Sequence, residues 1–246
     1  MSKIQIDIEY IKKGLTDIGY DISECIERKN NGTNWQIKFN NSQAVVNIYD
    51  TNKKNNTVVN GKLNVGEEEL KNIIELLKRK EIEIEPINSL IIDLINQRTE
   101  TNFYDYKLEM YKDKADMLHD ILCLSNNTEN KEAYLIIGVN DSGEPIGIDK
   151  EIRSDEIFDF MKTQKFAGGH MPEIDVKHIY YKYMRIGVII CKSSKYVPFY
   201  LSEKHKGVFD NQIYTRVGNT NTPKNKHAAY TDVEKLWKIH FQRENE

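Results

Sequence analysis

Proline and cysteine are scarce in this chain, and no apolar run approaches the length of a membrane span. Five prolines in 246 residues leave long stretches free to form uninterrupted helices and strands. The three cysteines, Cys25, Cys123 and Cys191, are odd in number and far apart. That argues against a disulfide framework or a zinc site and for buried free thiols in a reducing compartment. The first residues lack the apolar core of a signal peptide, so cytoplasmic residence without a membrane partner is expected. There is no excess of positive charge either. Lys and Arg total 35 against 38 Asp and Glu, a net charge of −3, so any nucleic-acid contact must rest on a local patch. A Walker phosphate loop, a dinucleotide glycine motif and the Ser-x-x-Lys and Gly-x-Ser-x-Gly nucleophile motifs are all missing. What remains is a chain with 39% hydrophobic and 10% aromatic residues, enough for a folded core. Its length suits one large domain or two small ones.

The N-terminal third reads as a small α+β domain. Ile8, Ile11, Leu15 and Ile18 lie near helical spacing. Residues 35–39, 44–49 and 57–62 read as three strands separated by polar turns. A helix follows from Glu67, with Leu70, Ile73, Ile74 and Leu77 on one face. Acids fill its first turn, and Lys78, Arg79 and Lys80 close it, both favourable against the helix dipole. The expectation is a helix–three-strand–helix domain over residues 1–82. Its Lys38, Lys53, Lys54 and Lys62 either hold RNA or are solvated lysines on an ordinary sheet, and the domain could equally hold an inhibitor protein or mediate dimerisation. Pro86 suits the first turn of a helix, and Ile87, Leu90, Ile91, Leu94 and Ile95 follow at helical spacing, giving a connecting helix over 83–98.

Residues 99–246 hold the charge pattern with chemical content. Around residue 105 a strand would set Phe103, Asp105, Lys107 and Glu109 on one face and Tyr104, Tyr106, Leu108 and Met110 on the other. A helix over 113–126 follows, then a continuous apolar run over 134–139, as in a strand buried on both faces. Asn140-Asp141-Ser142-Gly143 is a turn sequence at that strand's exit. Glu100, Asp105 and Asp141 are candidate ligands of one divalent cation, with Lys107 beside them. Oxygen donors suit magnesium or manganese, which can activate water at a phosphodiester. The alternative is a set of solvated acids around a sheet. His119 is either a general base or a helix-packing histidine.

Glu100, Asp105 and Lys107, then Ile137-Gly138-Val139-Asn140-Asp141 with Gly143, then Pro145-Ile146-Gly147-Ile148, and finally Tyr214-Thr215-Arg216-Val217-Gly218 form an ordered series. Together they resemble the Schlafen family, whose AlbA-type domain is also catalogued as a divergent ATP-binding domain. The resemblance covers about residues 98–242. It implies a mixed β-sheet flanked by helices and, in nuclease members, cleavage of transfer or ribosomal RNA by three acids that map onto Glu100, Asp105 and Asp141. Magnesium or manganese is the implied cofactor, with Lys107 stabilising the phosphorane or orienting water. Phage defence or toxicity is the implied setting. Nuclease members in animals pair two related lobes, so a homodimer is expected to supply the second. Two departures stand out. The second acid is Asp105 where the family usually has glutamate. The helix ends Cys123-Leu124-Ser125-Asn126-Asn127 without the usual glycine pair, which counts against nucleotide binding. A non-catalytic nucleic-acid-binding module or regulator stays open, because fold does not fix function.

The rest of the chain supplies candidate nucleic-acid contacts. Lys177, Lys182, Lys192 and Lys195 interleave with tyrosines along and just beyond a hairpin expected over 174–192, and Arg216, Lys224 and Lys226 follow. Lysines bind phosphates and aromatics stack bases, although a solvated face would look the same. Arg216 suits either a phosphate or a carboxylate of the sheet. The loop over 126–131 lies near the expected site and could touch substrate. The loop over 165–172 is a connector or a flap. Ser154, and Thr231 with Glu234, are expected helix caps.

Overall fold

The structure, a computed structural model, describes residues 6–29, 32–40, 42–50, 56–61, 66–82 and 84–242. The chain divides into two units, residues 1–94 with 179–184, and residues 95–178 with 185–246. Both are α+β, as the residue patterns indicate.

In the first unit, α1 (Ile8–Asp17) starts where the Asp7 carboxylate accepts a hydrogen bond from the Tyr10 N–H at 3.1 Å. Four strands follow, β1 (Ile22–Lys29), β2 (Thr33–Phe39), β3 (Val45–Asp50) and β4 (Thr57–Asn60), as an antiparallel meander in sequence order. The three expected strands are β2 to β4, and β1 is added at the edge. Most of β1 is exposed, so it lacks the alternation that marks a half-buried strand. Helix α2 (Glu67–Arg79) packs with α1 and β4. Its stripe of Leu70, Ile73, Ile74 and Leu77 meets Ile11, Leu15, Ile37, Val46 and Ile48 in one core. Lys38 is spent on Glu24 at 2.7 Å, while Lys53, Lys54 and Lys62 lie outside the described residues. Helix α3 (Pro86–Asn96) begins at its proline as expected. Its buried Asn88 donates to the Asp17 and Tyr180 carbonyls and accepts from the Tyr180 N–H, at 2.7 to 2.9 Å.

The second unit is built on a four-stranded sheet in the order β5-β6-β8-β7. β5 (Tyr104–Lys107) runs parallel to β6 (Ala133–Ile137), and α4 (Lys114–Ser125) is the crossover between them. β7 (Ile174–Tyr181) and β8 (Met184–Cys191) form the expected hairpin, with β8 antiparallel to β6. Every residue of α4 from Met117 to Ser125 is buried, and α4 shares a core with β6, β8, Met161 and Tyr214. Asn126 and Asn127, expected near substrate, are structural instead. Asn126 is fully buried, donates to the Phe199 and Tyr214 carbonyls and accepts from the Phe199 N–H. Cys25, Cys123 and Cys191 are free thiols, the last two buried. Two helix starts differ from expectation. α5 (Ser154–Thr163) begins at Ser154 itself, and Arg153 precedes it without a side-chain cap. α6 (Tyr230–Gln242) already includes Thr231. A short ribbon, β9 (Arg216–Val217) with β10 (Thr220–Asn221), completes the unit. No helix among the described residues is long and apolar enough to cross a membrane.

Candidate active site

Three local features bring the acidic residues together. The parallel pairing of β5 with β6 puts Asp105 opposite Leu135 and Lys107 opposite Ile137, so β5 ends level with the exit of β6. After β6 the chain turns through Gly138 and Gly143, both at positive φ. A Cβ on Gly143 would lie 2.6 Å from the Cα of Arg98, so only glycine lets this turn sit against the segment that carries Glu100. The Glu100 carboxylate then folds back and accepts the Tyr106 N–H at 2.9 Å. The outcome is a cleft of about 600 Å³ lined by Arg98, Glu100, Asp105, Lys107, Asp141 and Arg216.

The charges inside it form a closed ring. Arg216 Nη2 lies 2.9 Å from Glu100 Oε2 and 3.2 Å from Asp105 Oδ1. Asp105 Oδ2 accepts from Lys107 Nζ at 2.7 Å, and Lys107 Nζ lies 3.4 Å from Asp120 Oδ2. Asp120 Oδ1 accepts from Asn221 Nδ2 at 2.8 Å, and Asn221 Oδ1 accepts from Arg216 Nη1 at 2.8 Å. Arg216 also donates through Nε to the Thr101 carbonyl at 2.7 Å. Asp105 and Arg216 are almost wholly buried, at 2% and 3% exposure, so each depends on the others for its charge balance.

The acids titrate apart. Burial, then a hydrogen bond with Glu100, pushes Asp105 up to about 6 against the pull of Arg216 and Lys107. Glu100 is held below its usual range. Burial alone would raise it, but the hydrogen bonds with Asp105 and the Tyr106 N–H and the charge of Arg216 outweigh that. Burial works against the Lys107 ammonium, yet Asp120 and Asp105 hold its pKa above the usual lysine value. Two carboxyls that share a hydrogen bond resist ionising together, which is why their pKa values separate.

Of the predicted site residues, Glu100, Asp105 and Lys107 touch one another through this ring, and Asp141 stands exposed on the same cleft. Among the described residues, no three of His, Cys, Asp or Glu form a group that could hold a metal ion. The donor set in contact is therefore two carboxylates, Glu100 and Asp105, rather than the expected three. Two carboxylates with a substrate phosphate still suit magnesium, which often keeps several waters. Of the seven cations expected to meet nucleic acid, Arg216 lines the cleft, with its nitrogens turned to the acids and Asn221. Lys192 pairs with Glu132 at 2.7 Å, and Lys224 pairs with Asp116. Lys195 stands over the Tyr196 ring and Lys182 over the Tyr181 ring. Lys177 is on β7, and Lys226 is exposed. His119 is a packing residue. Its Nε2 donates to the Thr222 carbonyl at 2.8 Å, and its ring lies edge-on to Tyr214. Sequence reasoning missed Asp120, Tyr111 and Asn221. Tyr111 precedes the predicted helix and Asp120 lies in its middle, but nothing in their spacing marks them as neighbours of Lys107.

A mixed sheet with a crossover helix and a charged cleft at the strand ends defines an α+β domain organised around that cleft. The chain belongs to the Schlafen AlbA_2 family, whose family model matches residues 100–225. Membership points to a function connected with nucleic acids. Among solved structures, the N-terminal domain of a RecG-related protein from Nitrosomonas europaea, determined in solution by NMR, is similar at 16% identity over 56% of this chain and 96% of that one, with a TM-score of 0.33. No curated protein sequence matches the chain.

Proposed function

We propose that the chain is a divalent-metal-dependent endoribonuclease of Schlafen type that cuts transfer RNA or another structured RNA, with the acid-lined cleft as its active site. One observation carries this. Glu100, Asp105, Lys107, Asp141 and Arg216, drawn from three separate stretches of chain, line a single cleft. Glu100 and Asp105 would hold magnesium or manganese, with Asp141 on the exposed side. The bound ion would supply charge neutralisation at the phosphodiester and a water of lowered pKa. Lys107, partly exposed in the cleft, binds and orients the phosphate as a charged donor, while Arg216 holds the Glu100 and Asp105 carboxylates in place. A homodimer would supply a second lobe for a long RNA, and phage defence or toxicity would be the setting.

The test is incubation of purified protein with total transfer RNA in manganese, magnesium or EDTA, beside an Asp141→Ala variant. Asp141 is exposed, so its loss should leave folding intact. Fragments are expected with metal, and few with EDTA or the variant. RNA left equally intact by wild type and variant under every condition would overturn the proposal.

A second function, binding nucleic acid without cutting it, is favoured by the pairing of Arg216 with Glu100, Asp105 and the Thr101 carbonyl, an arrangement that also ties the sheet together. Tight RNA binding without fragments in the same experiment would select it. Thermal stabilisation by ATP would instead select nucleotide binding.

A further inference from the structure

We infer that Asp120 is the positioning residue of the cleft: it holds Lys107 directly and Arg216 through Asn221, and so fixes both the cation that faces the substrate phosphate and the one that holds the acids. This rests on the cleft being the phosphate-handling site proposed above.

Asp120 lies on α4 and is itself 8% exposed. Its side chain is fully engaged. Oδ2 accepts from the Tyr111 hydroxyl at 2.5 Å and faces Lys107 Nζ at 3.4 Å. Oδ1 accepts from Asn221 Nδ2 at 2.8 Å and faces His119 Nδ1 at 3.4 Å. The Tyr111 hydroxyl and the Asn221 amide hold one oxygen each, with the Lys107 ammonium beside Oδ2, so the carboxylate is fixed from three directions. Its role is therefore to hold other groups in place.

Each oxygen controls one cation. On the Oδ2 side, Lys107 lies between Asp120 and Asp105. With Asp120 removed, the ammonium has only Asp105 to follow, and its position is no longer fixed from two sides. On the Oδ1 side the control passes through an amide. Asn221 has a donor end and an acceptor end, and an acceptor-only carboxylate forces the donor end toward itself. The amide oxygen is then left for Arg216 Nη1 at 2.8 Å. A flipped amide would present N–H to N–H at the guanidinium. One negative charge thus sets the direction of the whole relay, from a helix whose own side chains do not reach the cleft surface.

The test joins side-chain NMR of the Lys107 ammonium and the Arg216 guanidinium to steady-state cleavage of transfer RNA in manganese. Asp120→Asn keeps the shape and removes the charge. It should shift both side-chain signals and lower kcat about 100-fold, the cost of a small misplacement at a reacting centre, with KM little changed. Asn221→Ala is the milder variant, at a half-buried position. It should shift the Arg216 signal and leave that of Lys107 in place. Unchanged Lys107 and Arg216 signals in folded Asp120→Asn would overturn the inference. So would kcat and KM losses that merely track lost thermal stability in both variants. The NMR readout needs no turnover. If the wild type proves inactive, the proposed function fails while the positioning role is still decided by the signals.

Discussion

The two units bury charge in different ways. In the first, the buried Lys78 ammonium is satisfied within one helix turn, by Glu75 at 2.8 Å, with Thr57 donating to the same carboxylate at 2.6 Å. In the second, Arg216 joins Glu100, Asp105, Thr101 and Asn221, and the link to Glu100 spans 116 positions of sequence. A local pair stabilises a helix wherever that helix goes. A long-range ring can form only when the whole unit is folded, and it gathers charge where a cleft opens. The difference separates charge balanced within one helix turn from charge gathered across the unit at a cleft, and several measurements can break or sharpen it.

The largest effect should come from Arg216→Ala. It strands the buried Asp105 and the half-buried Glu100 without their shared counter-ion and should cost the second unit about 3–5 kcal/mol in urea unfolding. A loss under about 1 kcal/mol would mean that water replaces the guanidinium and the ring is not cooperative. Next comes Leu15→Ala in the apolar core of the first unit, where the side chain is fully buried. A cost of about 2–5 kcal/mol is expected, seen in the first unit's transition. Trp35 is on β2 and Trp237 on α6, so fluorescence of Trp35→Phe and Trp237→Phe chains separates the two transitions. Lys78→Met should cost less, about 1–2 kcal/mol, because Glu75 keeps the Thr57 hydroxyl and partial access to water.

The smallest effect is one of sign with pH. Asp105 has a folded pKa of about 6, above its ordinary 3.8, so the folded state binds the proton more tightly. In EDTA, its contribution to stability should therefore rise as pH falls from 7 through about 6 toward 3.8. Glu75 is shifted the other way. Burial would raise it, but the hydrogen bonds from Lys78 and Thr57 win, and its contribution is present above 4.5 and lost as pH falls below that. Between pH 7 and 5 the urea midpoint followed by Trp237 should gain from Asp105, and the gain should vanish in Asp105→Asn. A midpoint that moves identically in both chains would contradict the buried acid pair.

Much of the fold was legible because local pattern and tertiary burial agree. The stripe of α2, the apolar run of β6 and the proline start of α3 each carry their own period or stop signal. Edge strand β1 was not legible, since a mostly exposed strand has no alternation to read. Ser154 and Thr231 each sit just inside a helix rather than at its cap. At the site, Glu100, Asp105, Lys107 and Asp141 stood out by motif. Asp120 did not, because α4 is buried along its length and offers no polar face against which an odd carboxylate would show. The place of Arg216 among the acids was an open choice in sequence, and folding of β9 beside residues 100–105 resolves it toward the carboxylates.

The most direct test of the central claim, that the cleft acids work as one unit in RNA cleavage, is a double-mutant cycle. Single-turnover cleavage of transfer RNA in manganese would be measured for Glu100→Gln, Asp105→Asn and the pair. If the two carboxylates serve one function, each single change should cost about 100-fold or more, and the pair should be no slower than the slower single. Losses that multiply in the pair, or a wild type that leaves RNA uncut, would contradict it.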